Sequence, residues 1–253
     1  MNADFKKLTE DFKALGIKKG DSVLIHSSYK SMGGIEGGIE TFVDAMLSVL
    51  GDSGTLISPT LSFRAVSVEN PVFDYLNTPS CTGAINEFIR LREGSVRSIH
   101  PTHSCSVIGK KTDYYVKGHE LDRTPVGENS PFRKLMEDGG KILMLGCGLG
   151  PNTSLHGIEE KADLPYVLAE RPSPYTIILP EKTYTIDFYR HHIVQRGFLQ
   201  RYARAEALID DSFVSHGEIH GADSYLINAP ELWKVCLDVL KNDPYYFVEK
   251  KEG

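Results

Sequence analysis

Apolar positions recur along this chain with two periods, and each switch between them marks an element. Phe5, Leu8, Phe12 and Leu15 stand three and four residues apart, with Gly16 behind them. That spacing lines one face of a helix, and the glycine predicts its stop. The run DSVLIHSS follows. Its unbroken apolar centre predicts a strand buried on both faces that opens into a polar loop at its C-terminal end. Ile39, Phe42, Val43, Met46, Leu47 and Leu50 return to helical spacing before Gly51, and GTLISPT reads as a second buried strand. Strand, helix and strand within about forty residues suggest a right-handed parallel crossover.

Residues 59–80 show no periodicity. A loop of that length inside a compact domain is expected to be functional, as a lid or a binding loop. A helix is predicted from Thr82 to Arg92 and a strand over Ser104–Ile108. Ser130 and Pro131 suit the N-cap and first position of a helix running to Asp138. KILMLG is the next buried strand, and the polar turn GCGLGPNTS leads into a helix that carries His156. In the last third, YTIILPEKTYTIDF and FVSHGEIHGADSYLI alternate around turn residues, as antiparallel hairpins do. An amphipathic helix is expected from Pro230 to Lys241. The pattern as a whole predicts an α/β protein: an α/β/α layered fold with a mainly parallel central sheet and antiparallel hairpins in the C-terminal third. With no linker, repeat or low-complexity tract, residues 1–253 are expected to form a single domain.

Composition narrows the partners. The net charge of −6 disfavours nucleic acid, which seeks basic surfaces. It suits a cationic ligand only weakly, and solubility is its commoner cause. The four cysteines include no CxxC pair, so no zinc knuckle or dithiol motif is predicted. The N-terminal segment carries acids and lacks an apolar signal core. No apolar run approaches the ~20 residues of a membrane span. A cytoplasmic location with reduced cysteines and no membrane partner is the expectation, and a homo-oligomer is compatible with it.

Four polar turns follow apolar strands: His26-Ser27-Ser28, Pro59-Thr60, His100–Ser104 and Gly146–His156. In open α/β sheets ligands bind beyond the carboxyl ends of the strands, so these turns can converge on one crevice. GGIEGG at 33–38 lacks the Lys-Ser/Thr of a nucleotide-binding loop but can offer backbone N–H groups to a phosphate. GCGLG has its third glycine misplaced for a dinucleotide fingerprint. In NTSLHGIEE, Thr153 or Ser154 can cap the helix, and Glu159 shares a face with His156. A carboxylate there is expected to raise the imidazole pKa and fix its tautomer, which suits a general base. The commoner reading of such a spacing is a surface pair. His100, His103 and Cys105 permit a metal site or a cysteine nucleophile. The proline at 101 works against the first, and the buried strand around Cys105 against the second. His191-His192 reads as a solvated or hydrogen-bonding pair.

Taken in order, VLIHSSYKSMGGIEGGIETFVDAML, GTLISPT, HPTHS and GENSPFRKLMEDGGKILMLGCGLGPNTSLHGIEE resemble the aminoglycoside 3-N-acetyltransferases over roughly residues 5–170. Fainter similarity continues through FLQRY and GEIHGADSYLI. The resemblance implies acetyl-CoA as co-substrate and an amino-sugar nitrogen as acceptor; no residue set has convincing ligand spacing, so no metal is expected. Its NTS-hydrophobic-His segment places the catalytic histidine at His156 and the following acid at Glu159. The CoA-binding loop after the first strand falls on His26, Ser27, Ser28, Lys30 and Ser31. The Pro-Thr strand end falls on Thr60, and the His-Pro-x-x-Ser segment on His100 and Ser104. His103 is not a general feature of that family, and residues 59–80 and 157–200 depart from its pattern, which leaves the acceptor open. Two other functions remain compatible with the residues: a metal-dependent hydrolase using His100, His103 and His156, or a non-catalytic ligand-binding member of the fold.

Overall fold

The computed structural model describes residues 2–251. Its first half contains α1 (Ala3–Leu15), β1 (Ser22–Ser27), α2 (Gly38–Leu50), β2 (Thr55–Pro59), β3 (Val72–Asp74), α3 (Ala84–Leu91), β4 (Val96–Arg97), β5 (Cys105–Gly109) and α4 (Thr112–Val116). The second half adds α5 (Pro131–Glu137), β6 (Lys141–Leu145), α6 (Ser154–Lys161), β7 (Ser173–Ile178), β8 (Thr183–Phe188) and β9 (Phe198–Gln200). It ends with β10 (Val214–Ile219), β11 (Ala222–Asn228), α7 (Ala229–Asn242) and β12 (Val248–Lys250).

Seven strands form the main sheet in the order β10-β11-β6-β1-β2-β5-β4. The centre, β6-β1-β2, is parallel, with His26 opposite Met144 and Leu24 opposite Ile57. Strands added on either side run antiparallel. The period of two in each central strand divides its side chains between two cores. Val23, Ile25, Leu143 and Leu145 pack with α1, α2 and α3 residues such as Phe12, Phe42 and Ile89. Leu24, Ile57, Ile142 and Met144 face the other way, toward Phe132, Leu155 and Trp233 of α5, α6 and α7. This is the three-layer α/β/α arrangement that the continuous apolar runs demand, since a strand covered on both faces has no polar side.

Local chemistry places the helix ends. Asn2 accepts a hydrogen bond from the Phe5 amide at 2.8 Å, and Gly16, at φ 105°, closes α1 in the left-handed region. Ser130 caps α5 as its sequence suggests, accepting from the Arg133 amide. The helix predicted to begin at Thr82 starts two residues later, at Ala84.

The segment 59–80 is not structureless. Its β3 pairs in parallel with β7, about a hundred residues away in sequence, and β7 and β8 complete a second, three-stranded sheet. Val66, Phe73, Tyr175, Ile177 and Phe188 form a small core beneath it. A third pairing, β9 with β12, ties the chain near residue 200 to residues 248–250. Among the described residues no helix is long and apolar enough to cross a membrane.

Candidate active site

A cavity of about 690 Å³ opens beyond the C-terminal ends of β1 and β6. His26 and Ser27 from the end of β1 line it, as do Leu61 and Phe63, Thr102 and His103, Asn152 and His156, and Gln200 and Tyr202. It therefore collects residues from the main sheet, from the segment leading to β3 and from the start of α6.

The helix that presents His156 is held closely. A Cβ on Gly157 would lie 2.5 Å from Val126 Cγ1 and 2.7 Å from the Trp233 ring, so only glycine lets α6 approach α7 at this depth. Neither Thr153 nor Ser154 caps the helix through its side chain. Thr153 already has helical dihedrals, and its amide points to His26 Nε2 at 3.4 Å. Asn152 Oδ1 accepts from the Ser154 amide at 3.1 Å instead. Burial holds His26 neutral, with its pKa pushed down to about 3. A neutral imidazole that accepts at Nε2 carries its proton on Nδ1.

His156 does not bond Glu159 directly; the gap from Nδ1 to Oε2 is 3.8 Å. Tyr202 stands between them. Its hydroxyl donates to Glu159 Oε2 at 2.5 Å and lies 2.8 Å from His156 Nδ1. With Glu159 ionised, the hydroxyl's one proton goes to the carboxylate, and the phenolic oxygen accepts from His156 Nδ1–H. This fixes the tautomer and leaves the Nε2 lone pair directed into the cavity, where the Gln200 amide stands 3.2 Å away. Tyr166 also donates to Glu159, at 3.1 Å.

Electrostatics reverse one expectation. The carboxylate was expected to raise the imidazole pKa; instead burial, with the neighbouring His191, holds His156 well below its ordinary value. Desolvation outweighs a carboxylate one residue removed. Burial acts on Glu159 in the other sense and lifts it to about 7, against the pull of its two tyrosine donors. His191 stacks on His156 with centroids 4.1 Å apart, and its Nε2 bonds Glu160 at 2.6 Å. His191 is thus an ordered part of the cavity wall rather than a solvated residue.

The residues at the strand ends fall into two groups. His26 and Ser27 line the cavity. Ser28, Lys30 and Ser31 do not line it; the Ser28 amide bonds Leu145 O at 2.8 Å and Ser31 Oγ donates to Ser28 O. Thr60, His100 and Ser104 are buried and face protein. Ser104 Oγ donates to Thr60 O at 2.9 Å and accepts from Arg97 Nε at 2.8 Å. His100 Nδ1 accepts from the Thr102 and His103 amides. These three close the floor of the site and do not reach the cavity, because their polar atoms are already committed to backbone and to Arg97. Cys105 is buried and its thiol is pushed well above its ordinary pKa by desolvation, which removes the nucleophile reading. Gln200 and Tyr202 were not singled out in the sequence, and His191, read there as solvated or hydrogen-bonding, was not placed at this wall. The FLQRY similarity was the one trace of Gln200 and Tyr202.

The sequence model described as aminoglycoside 3-N-acetyltransferase matches residues 24–241. The chain belongs to this family. Aminoglycoside N(3)-acetyltransferase III from Salmonella sp is 34% identical over 188 residues, covering 67% of this chain and 65% of that protein. The match thus spans slightly less than two thirds of that relative's length. Aminoglycoside N(3)-acetyltransferase IX from Micromonospora chalcea is 26% identical over 260 residues, covering 92% of this chain and 91% of that protein. Among solved structures, AAC-VIa bound to sisomicin superposes with a TM-score of 0.80 at 27% identity, covering 94% of this chain and 97% of that one. A mutant of AAC(3)-IVa in complex with a gentamicin reaches 0.82 at 26% identity, covering 96% and 90%. AAC-IIIb with CoASH, at 24% identity and a TM-score of 0.80, shares the fold.

Proposed function

We propose that this chain transfers an acetyl group from acetyl-CoA to an amine of an aminoglycoside or a related amino sugar, with His156 Nε2 as the general base. The observation that carries the reading is the His156–Tyr202–Glu159 network at the wall of the cavity. Family membership supports the donor and the reaction class. The acceptor nitrogen attacks the thioester carbonyl as Nε2 takes its proton, the C–S bond breaks, and CoA leaves as thiolate. An imidazole that is neutral at working pH is the form able to accept that proton. The imidazolium that develops is met by the Tyr202 oxygen and, behind it, the Glu159 carboxylate. Tyr202 and Glu159 are positioning residues in this scheme. We assign the donor to the side of His26 and Ser27, which line the β1 end of the cavity and fall on the CoA-binding loop that the family resemblance implies. The C-terminal and 59–80 segments form the remaining wall and are the natural place for the acceptor.

A CoA-release assay across aminoglycosides and nucleotide-linked amino sugars tests the reading. Thiol release that requires both acetyl-CoA and an amine supports it. Acetyl-CoA binding without release from any amine would leave a ligand-binding member of the fold. No thermal shift with millimolar acetyl-CoA would remove the donor itself, since a ligand bound to the native state must stabilise it.

A further inference from the structure

The cavity wall holds three histidines where the proposed transfer uses one. His103, His156 and His191 each place a ring nitrogen within 4.8 Å of the other two. They come from three separate segments, so no local spacing accounts for their meeting. The rings of His156 and His191 are near-parallel, at 19°, and His103 stands edge-on to both, at 89° and 85°.

Each ring is anchored through one nitrogen by a partner outside the trio. His191 Nε2 bonds Glu160 Oε1 at 2.6 Å, and that carboxylate is itself fixed by the Val126 amide at 2.9 Å. His156 Nδ1 bonds Tyr202 at 2.8 Å. His103 Nδ1 bonds Thr102 Oγ1 at 2.9 Å. His103 Nε2 and His191 Nδ1 are left over, and His156 Nε2 has only the Gln200 amide, at 3.2 Å, which an ion would displace. A histidine that ligates a metal characteristically gives its other N–H to a carboxylate, hydroxyl or carbonyl, which fixes its tautomer and aims its lone pair. Here each of the three has such a partner on its other nitrogen. Three imidazoles with a fourth position open to a cavity make a donor set that suits a borderline-soft divalent ion rather than magnesium or calcium, which take oxygen ligands.

We propose that His103, His156 and His191 form a binding site for a divalent transition-metal ion, zinc foremost, and that its occupancy reversibly blocks the cavity. Tetrahedral coordination at about 2.0–2.1 Å needs nitrogens about 3.4 Å apart with converging lone pairs, so the trio must draw together and one ring of the stacked His156–His191 pair must turn out of the stack. Coordination consumes the Nε2 lone pair of His156. The blocking part of the inference therefore rests on the proposed role of His156, while the binding part rests on the meeting of the three rings and does not depend on that role.

The test uses the full chain, stripped with EDTA and dialysed, titrated with zinc chloride by calorimetry. One equivalent is expected to bind. His103→Asn and His191→Asn, each checked for native circular dichroism, should weaken binding at least about tenfold. His216→Ala, on the exposed β10 strand, should leave binding unchanged. In the CoA-release assay, zinc should inhibit the wild type, EDTA should restore it, and His103→Asn should shift the inhibition to higher zinc. Absence of binding at about a hundred micromolar zinc, or binding equal in both folded variants, overturns the site. Zinc that binds yet leaves or raises turnover overturns the block. Failure of the transferase reading would show separately, as no CoA release from the zinc-free protein, with zinc binding intact.

Discussion

Two polar regions meet beneath the cavity, and they behave oppositely. Around Thr60, Ser104 and Arg97 every bond is internal: Arg97 donates to Thr60 O, Thr78 O and Ser104 Oγ, and its guanidinium lies 4.7 Å from the Phe73 ring. Around His156 the bonds run from Nδ1 through Tyr202 to Glu159, and the ring's other nitrogen faces the cavity with the side-chain amide of Gln200 3.2 Å away. Both regions are polar, both follow apolar strands, and both look functional in sequence. The difference is whether an unspent donor or acceptor remains facing open space. A satisfied network stabilises; a network with one free end can do chemistry.

That contrast can be broken or sharpened by substitution. His156→Ala should lower turnover by at least about a hundredfold while leaving acetyl-CoA affinity little changed. A folded variant with near-normal turnover would remove the general base and make His156 another structural residue. Tyr202→Phe keeps the ring and removes the bridge. Turnover should fall roughly tenfold or more, within the range for lost transition-state contacts. Glu159→Gln should cost less, since an amide oxygen can still accept from Tyr202. Equal losses for the two would argue that the carboxylate charge, not the bridge, is what matters.

The sealed region should respond in stability instead. Ser104→Ala leaves Arg97 one acceptor short in a buried setting, a loss of about 1–3 kcal/mol. Chemical denaturation should show it, with turnover per folded molecule near wild type. A turnover loss larger than the folding loss would place Ser104 in contact with substrate after all.

His26 supplies a pH test. Its folded pKa is near 3, below the value of about 6.5 for an exposed histidine. Between those values the unfolded chain binds a proton that the folded chain refuses, so stability is full above about pH 6.5 and falls as the solution is acidified. The slope from this one group is at most about 1.4 kcal/mol per pH unit. A His26→Asn variant should flatten the decline between about pH 6 and 4 in urea titrations; an unchanged slope would assign it to other groups. The smallest effect should come from chelation: EDTA should leave transfer by the purified protein intact or slightly raised. Lost activity that zinc restores would favour the hydrolase chemistry instead.

The layered core was legible because its signal is local. VLI and ILML need both faces covered, and the helical spacings of α1, α2 and α7 show which side covers them. The second sheet was not legible. Strand β3 has three residues, and only pairing with β7 makes it a strand; no local pattern encodes a partner about a hundred residues away. The site divided in the same way. His156 and Glu159 share one helix and could be read together. Tyr202 and Gln200 reach His156 across 46 and 44 residues, and His191 sits in a segment without periodicity. Thr60, His100 and Ser104 were visible as polar strand ends, but which way a side chain turns at a strand end is decided by what packs there.

The short pairing of β9 with β12 ties one wall of the cavity to a part of the chain outside the main sheet. All strands of the main sheet and both of its helical layers are encoded before residue 243. Gln200 and Tyr202, however, end or follow a strand whose sheet partner lies at 248–250, and the Arg201 amide bonds Phe247 O. Loosening that short pairing would therefore free the bridge between Glu159 and His156 while the layered core, which shares none of its strands, stays intact.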